Sequence, residues 1–266
     1  AKTWGEQVAV VGVLKRYKDK CTQERVLLKT SDGVHWHVEA FFPYKDIQSF
    51  TYSYLICEEE RVVRREWNVV PRVFYCAGVE EFICPDHWMD TPQLAYMYSS
   101  AYIHARNLQP VGDANPVYFD KTILFKVQAP QLTPNEALAL IGSQPPLGAW
   151  NHLMALRMLR AKTHEWTLSV SADRLYLPFE YKYVVIDEQT GELIRWETGD
   201  NRLSPSIVIE SGRVLVVHDT QIHDTPSSWK TAGCVVPLFS LRSTHSQGIG
   251  DFGDVTMLSD WASEAG

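Results

Sequence analysis

The strongest constraint on the fold of this chain is a long internal repeat. The apolar run Val8-Ala9-Val10-Val11-Gly12 has a counterpart in Ala137-Leu138-Ala139-Leu140-Ile141-Gly142, each ending at a glycine. Val34-His35-Trp36-His37-Val38 answers to His164-Glu165-Trp166-Thr167-Leu168, and Phe50-Thr51-Tyr52-Ser53-Tyr54 to Phe179-Glu180-Tyr181-Lys182-Tyr183. Arg65-Glu66-Trp67-Asn68 answers to Arg195-Trp196-Glu197 when the tryptophans are aligned. The offset stays at about 130 residues throughout, which is far too long for a solenoid and indicates two copies of one domain.

Each copy reads as β-structure. Phe179, Tyr181 and Tyr183 alternate with Glu180 and Lys182, the period-two pattern of a half-buried strand. Turn signals at Ser31-Asp32-Gly33, Pro145-Pro146-Leu147-Gly148 and Gly199-Asp200-Asn201 separate the runs. Short strands at this spacing predict two immunoglobulin-like β-sandwiches, with Trp36 and Trp166 in their cores. The predicted boundaries are 1–86 for the first module, 87–119 for a proline-containing connector and 120–223 for the second module.

The pattern changes beyond Lys230. Gly233-Cys234-Val235-Val236-Pro237-Leu238-Phe239 is a continuous apolar run, as in a strand buried on both faces. After Gly248-Ile249-Gly250-Asp251-Phe252-Gly253, Asp254 is suited to cap a helix carrying Val255, Leu258, Trp261, Ala262 and Ala265 on one face. Residues 224–266 therefore read as one βα unit, which cannot bury both faces alone. The chain reads as a fragment at both ends.

Composition narrows the partners. The formal net charge of -7, with scattered Lys and Arg, offers no basic stripe for nucleic acid. No apolar run has membrane-spanning length, and no leader peptide is visible. The five cysteines lack metal-site spacing, and Cys21, Cys57 and Cys76 are expected as reduced thiols, so the expected compartment is cytoplasmic. No cofactor and no metal is expected. The excess is aromatic, with nine Trp and twelve Tyr.

Two of these indoles stand out. Trp150 closes a tight loop after Pro145-Pro146, and Trp196 precedes the polar turn Glu197-Thr198-Gly199-Asp200-Asn201. A pyranose has an apolar C–H face, which an indole covers, and a rim of hydroxyls, which neighbouring polar groups bind. Lys182 supplies donors, and Glu197 and Asn201 supply acceptors. Two angled indoles suit a curved α-1,4-glucan better than flat cellulose. On spacing alone, an indole at either position serves packing as readily as binding, and Lys182 alone would more often be a solvated strand residue.

In combination, Ile141-Gly142-Ser143, Leu147-Gly148-Ala149-Trp150, Phe179-Glu180-Tyr181-Lys182-Tyr183 and Trp196-Glu197 with Asn201-Arg202 resemble a family 20 starch-binding module over residues 123–218. The resemblance implies a principal α-glucan site of Trp150, Lys182, Trp196, Glu197 and Asn201. The family's second site is not carried over, because Pro134 stands at one of its tyrosine positions. The first module resembles the same family more weakly. It lacks the Trp loop and has Ser53 at the lysine position, leaving Trp4 and Trp67 as weak glucan-binding candidates.

Val236-Pro237-Leu238-Phe239-Ser240-Leu241-Arg242-Ser243, Gly248-Ile249-Gly250-Asp251-Phe252-Gly253-Asp254 and Leu258-Ser259-Asp260-Trp261-Ala262 resemble the opening of family 77 4-α-glucanotransferases. That family includes amylomaltases and the disproportionating enzymes that carry two starch-binding modules. The resemblance implies the first βα unit of a truncated (β/α)8 barrel, with the catalytic carboxylates on later strands and no catalytic residue in this chain. Arg242 and His245 would line glucan subsites. The expected partners are α-glucans such as starch, glycogen and maltooligosaccharides. A non-catalytic glycan-binding scaffold is the rival reading, and an α-amylase a third.

Overall fold

The computed structural model describes residues 6–16, 21–41, 47–76, 81–92, 94–105, 116–162, 164–224, 235–245 and 248–265. These form two compact units, Ala1–Thr225 and Pro226–Gly266. The fold is mainly β. No helix among the described residues is long and apolar enough to cross a membrane.

The first repeat supplies β1 (Glu6–Arg16), β2 (Cys21–Leu27), β3 (Ile47–Glu58), β4 (Arg61–Arg65), β5 (Arg72–Tyr75) and β6 (Glu81–Ile83). β2, β1, β3 and β4 lie side by side in that order, and β5 also pairs with β3. A 3₁₀ turn at Ala95–Tyr98 and helix α1 (Ser100–Ala105) follow, with Met97, Tyr98 and Tyr102 buried.

The second repeat supplies β7 (Lys121–Gln128), β8 (Glu136–Gly142), β9 (Leu156–Arg157), β10 (Leu159–Arg160), β11 (Glu165–Ser171), β12 (Glu180–Asp187), β13 (Leu193–Trp196), β14 (Arg202–Leu203) and β15 (Arg213–Asp219). One sheet runs β10-β11-β7-β15-β6, and the other runs β13-β12-β8-β9 with β14 on β12. Ile123, Phe125 and Val127 of the first sheet meet Leu138, Leu140, Tyr181 and Tyr183 of the second in a common core. This is a β-sandwich, and Trp166 lies inside it at 4% exposure.

The first repeat departs from the sandwich expectation. Its described strands β1–β5 make one sheet, while β6 pairs in parallel with β15 of the second repeat, Val214 opposite Phe82. The outward face of that second-repeat sheet, with Leu124, Val214 and Val216, is covered by Phe82, Cys84 and Tyr118. Phe82 stacks in turn on Phe74 of β5, centroids 4.5 Å apart. The segment Val34–Val38, expected to match β11, instead follows a turn in which Asp32 accepts the backbone N–H groups of Val34 and His35. It contributes a single bridge, Lys29 to His37, and Trp36 is half-buried rather than in a core.

The repeats nevertheless share their register. Gly12 faces Tyr52 in β1–β3, and Gly142 faces Tyr181 in β8–β12. They also share an internal polar network. Asp86 accepts the hydroxyls of Tyr52 and Tyr54 at 2.7 and 3.0 Å, and Asp219 accepts those of Tyr181 and Tyr183 at 2.9 and 2.6 Å. Arg72 bridges Asp86 and Glu66 and lies 5.1 Å from the Tyr54 ring centroid; Arg202 bridges Asp219 and Glu197 and lies 5.1 Å from that of Tyr183. Buried charges are tolerated only when paired and fully hydrogen-bonded, so each repeat carries the whole set.

Among the described residues of the second unit, the expected buried strand is not formed. Val235 is 98% exposed, and Leu238–Ser240 is a 3₁₀ turn. A strand needs ladder partners, and the described residues of this unit contain none. Residues 233 and 234 lie outside the described set. Helix α2 (Phe252–Ala265) forms, but its cap is Asp251: Oδ1 accepts the N–H groups of Gly253 and Asp254. Asp254, three residues on, accepts the N–H of Asp251 in return, at 2.9 Å.

Candidate functional site

The end of β8 builds the Trp150 loop. Gly142 O accepts the Trp150 N–H at 3.0 Å, which folds the chain back on the strand it has just left. The return requires left-handed backbone at three successive residues, Gly148, Ala149 and Trp150, with φ of 88°, 46° and 61°. At Gly148 a Cβ would also stand 2.8 Å from the Met154 carbonyl oxygen. Ala149 and Trp150 hold this conformation without the freedom of glycine, and such strain is typically retained at binding positions. The indole is half-buried, packed along one side against the sandwich core.

Lys182 and Trp196 are set on the neighbouring strands. Lys182 faces Ile141 of β8, and Val184, on the same face of β12, is opposite Trp196 of β13. Trp196 is half-buried and also packs against the core cluster. Lys182 Nζ donates to the carbonyls of Gly199 at 2.6 Å and Glu197 at 3.3 Å, tying down the turn that follows Trp196. An ammonium has three donors, so one remains for a ligand. Asn201 is exposed, its amide donating to Glu180 Oε2 at 3.0 Å. Trp150, Lys182, Trp196 and Asn201 thus sit on or beside the β13-β12-β8 sheet.

Glu197 does not join them. Its carboxylate is buried and fully used: Oε1 accepts the Tyr183 N–H at 2.8 Å, Oε2 accepts the His223 N–H at 3.2 Å, and Arg202 bonds both oxygens. These bonds tie the Trp196 hairpin to the interior, and the Glu197 side chain has no exposed surface. Burial alone would lower the pKa of Arg202, but Asp219 and Glu197 hold it well above its ordinary value. Burial and the Asp219 charge push Tyr181 and Tyr183 upward, so both phenols stay neutral donors.

The same network corrects the alignment of the first repeat. Glu66 donates its N–H to Tyr54 O and accepts the Tyr54 N–H, as Glu197 does with Tyr183. Trp67 N–H donates to Met89 O, as Thr198 N–H donates to His223 O. Trp67 therefore matches Thr198, and Arg65 occupies the position of Trp196. With Ser53 at the place of Lys182, neither post holds its second-repeat residue. Trp67 packs edge-on against Tyr98, centroids 5.0 Å apart. Trp4 lies outside the described residues.

Arg242 and His245 are exposed in the second unit, where the His245 N–H donates to Ser243 Oγ at 3.2 Å. Among the described residues no group of His, Cys, Asp and Glu could hold a metal ion.

Residues 121–211 match the starch binding domain family. The chain is also homologous to a 4-α-glucanotransferase, DPE2 of Oryza sativa subsp. japonica. The two are 30% identical over 232 residues, an alignment covering 80% of this chain and 24% of the rice protein. The chain thus spans about a quarter of that relative's length. Among solved structures, the family 20 carbohydrate-binding module of a maltotetraose-forming amylase from Pseudomonas saccharophila superimposes with a TM-score of 0.29 at 18% identity, covering 35% of this chain and 98% of that one. The γ-cyclodextrin glucanotransferase of an alkalophilic Bacillus clarkii gives 0.32 at 23% identity, covering 39% and 15%. The β-sandwich assignment for the starch-binding domain rests on its own strand pairing.

Proposed function

We propose that the starch-binding domain takes α-1,4-glucan at Trp150 and Trp196, with Lys182 and Asn201 bonding the sugar hydroxyls, as part of a 4-α-glucanotransferase. The observation that carries the binding reading is a pair of half-buried indoles, one in the loop that follows β8 and one on β13, the two strands that flank β12 and its Lys182, within the stretch that matches the starch binding domain family. Glu197 acts through Trp196 by fixing its hairpin. The first repeat, lacking counterparts of Trp196 and Lys182, supports the fold of the second and does not duplicate its site.

Homology to the rice enzyme supports the transferase reading. The reaction is transfer of a glucan segment from maltodextrin to a sugar hydroxyl through a covalent glycosyl intermediate, with a second carboxyl acting as acid and then base. No residue of this chain is assigned to that chemistry. A cytoplasmic site of action fits the free thiols of Cys21, Cys57, Cys76 and Cys84.

Two measurements test the proposal. β-Cyclodextrin should saturate the chain with a change in tryptophan fluorescence, and Trp150→Ala and Trp196→Ala should each weaken it; parent-like binding in both variants sinks the site. The full-length protein should convert maltotriose to glucose and longer chains. A full-length protein that binds glucan but transfers nothing favours the scaffold reading.

A further inference from the structure

We infer that the seam between the two repeats holds a second carbohydrate pocket, one that takes a single neutral pyranose unit or a disaccharide end-on. A cavity of about 370 Å³ opens there, within the range of small-molecule sites. The two repeats line it differently. The first contributes Trp67, Val70, Pro71 and Met89, an indole and three apolar side chains from the loop after β4 and the segment after β6, with Arg72 and His87 beside them. The second contributes Gln128, Glu165, Asp219 and Gln221 from β7, β11 and the end of β15. One apolar side and one side rich in donors and acceptors match the two aspects of a pyranose.

Three side chains around this cavity carry a buried polar atom with no partner among the described residues: Gln128 Oε1, His218 Nε2 and Gln221 Nε2. Polar groups removed from water are normally paired, so a cluster of unpaired atoms around one cavity marks a site completed by something else. The terminal torsion of a glutamine is soft, so either amide reaches into the cavity with a small turn. The charge pattern selects a neutral ligand. Lys126 is paired with Glu165 at 3.2 Å, Arg202 with Asp219 at 2.8 Å, and Arg72 with Glu66 and Asp86. Each lysine and arginine of the lining is thus already matched by a carboxylate, which disfavours a phosphate or carboxylate ligand. This pocket is separate from the Trp150–Trp196 surface and does not depend on it, since none of the residues of that surface lines it.

The test uses the whole chain carrying Trp150→Ala and Trp196→Ala, which removes the outer site. Maltose is titrated by calorimetry, and the Trp67 indole signal is followed by ¹H–¹⁵N NMR. The expected result is saturable binding that shifts the Trp67 signal. Glucose should bind more weakly, and β-cyclodextrin, a closed ring too wide for the cavity, not at all. Adding Gln128→Leu or Gln221→Leu should weaken maltose at least tenfold. Should both leucine variants unfold by circular dichroism, Trp67→Phe should retain maltose binding and Trp67→Ala should lose it. No saturable maltose binding in the double variant overturns the pocket, and so does binding that survives both glutamine replacements or Trp67→Ala. Failure of β-cyclodextrin to bind the parent chain, with maltose still shifting Trp67, would instead sink the outer site and leave this one standing.

Discussion

His218 Nδ1 lies 3.0 Å from Asp86 Oδ1, and the pair crosses the seam between the two repeats. Asp86 thereby serves both sides: it accepts the hydroxyls of its own Tyr52 and Tyr54 and binds an imidazole on the last strand of the second repeat. Burial works against its negative charge, but His218, Arg72 and Tyr52 together hold its pKa below the ordinary 3.8.

That shift sets a pH dependence. A carboxyl whose folded pKa is depressed stabilises the protein fully above its unfolded value and loses that contribution as pH falls through the folded one. Thermal melts should therefore show a stability loss that begins near pH 4 and steepens below it. Asp86→Ala should cost about 3–5 kcal/mol at neutral pH, because it leaves Arg72 short of a partner in a buried site. It should also flatten the acid limb of the curve. An Asp86→Ala protein with an unchanged acid limb would show that other carboxylates set it.

Glu197 should behave as a positioning residue. Glu197→Ala should destabilise the second repeat by about 3–5 kcal/mol through the stranded Arg202, and β-cyclodextrin affinity should fall with it. In Glu197→Gln, an amide oxygen still accepts the Tyr183 N–H, so binding should persist at a lower melting temperature. A Glu197→Gln variant that melts like the parent but has lost affinity would put the carboxylate on the sugar after all.

Removing either indole should cost about 1–3 kcal/mol of β-cyclodextrin binding, the value of burying one aromatic face. Lys182→Ala should cost less than about 1.5 kcal/mol, since two of its donors serve the turn and not the ligand. Calorimetry on the three variants checks the order.

Cys84 should be inert. Its thiol is pushed up to about 12, chiefly by burial and then by the Asp86 charge. At pH 8 only about one part in ten thousand would be thiolate. Iodoacetamide followed by peptide mapping should label the exposed Cys21 within minutes and leave Cys57 and Cys84 unlabelled until the protein is unfolded. Rapid labelling of Cys84 would mean that the Phe82–Phe74 contact opens readily.

The β-rich fold and the Trp150 loop were legible because aromatic alternation and a Pro-Pro-Leu-Gly turn leave strong local marks. The matching of Trp67 to Thr198, and of Arg65 to Trp196, was not, because the rare tryptophans dominate the sequence pattern and pull the alignment out of register. The true common elements are Glu66 and Glu197, Arg72 and Arg202, Asp86 and Asp219. Charged residues in a sequence read as solvated or as ligand contacts, and only the closed hydrogen-bond circuit around each pair shows them to be interior. The partnering of β6 with β15 was hidden for another reason: three residues, Glu81-Phe82-Ile83, carry no periodicity, and a parallel pairing far along the chain leaves no turn between the strands.

The loan of β6 to its neighbour's sheet has a consequence for descent. A lineage that discarded the first copy would also strip the covering from Leu124, Val214 and Val216 in the second, so the loss could not be neutral. Mutations that eroded the first copy's own sugar contacts, by contrast, would go unpunished so long as Phe82 and Asp86 stayed in place. Segments tied by such an exchange are inherited as a single part, free to diverge in what they recognise but not to be lost one at a time.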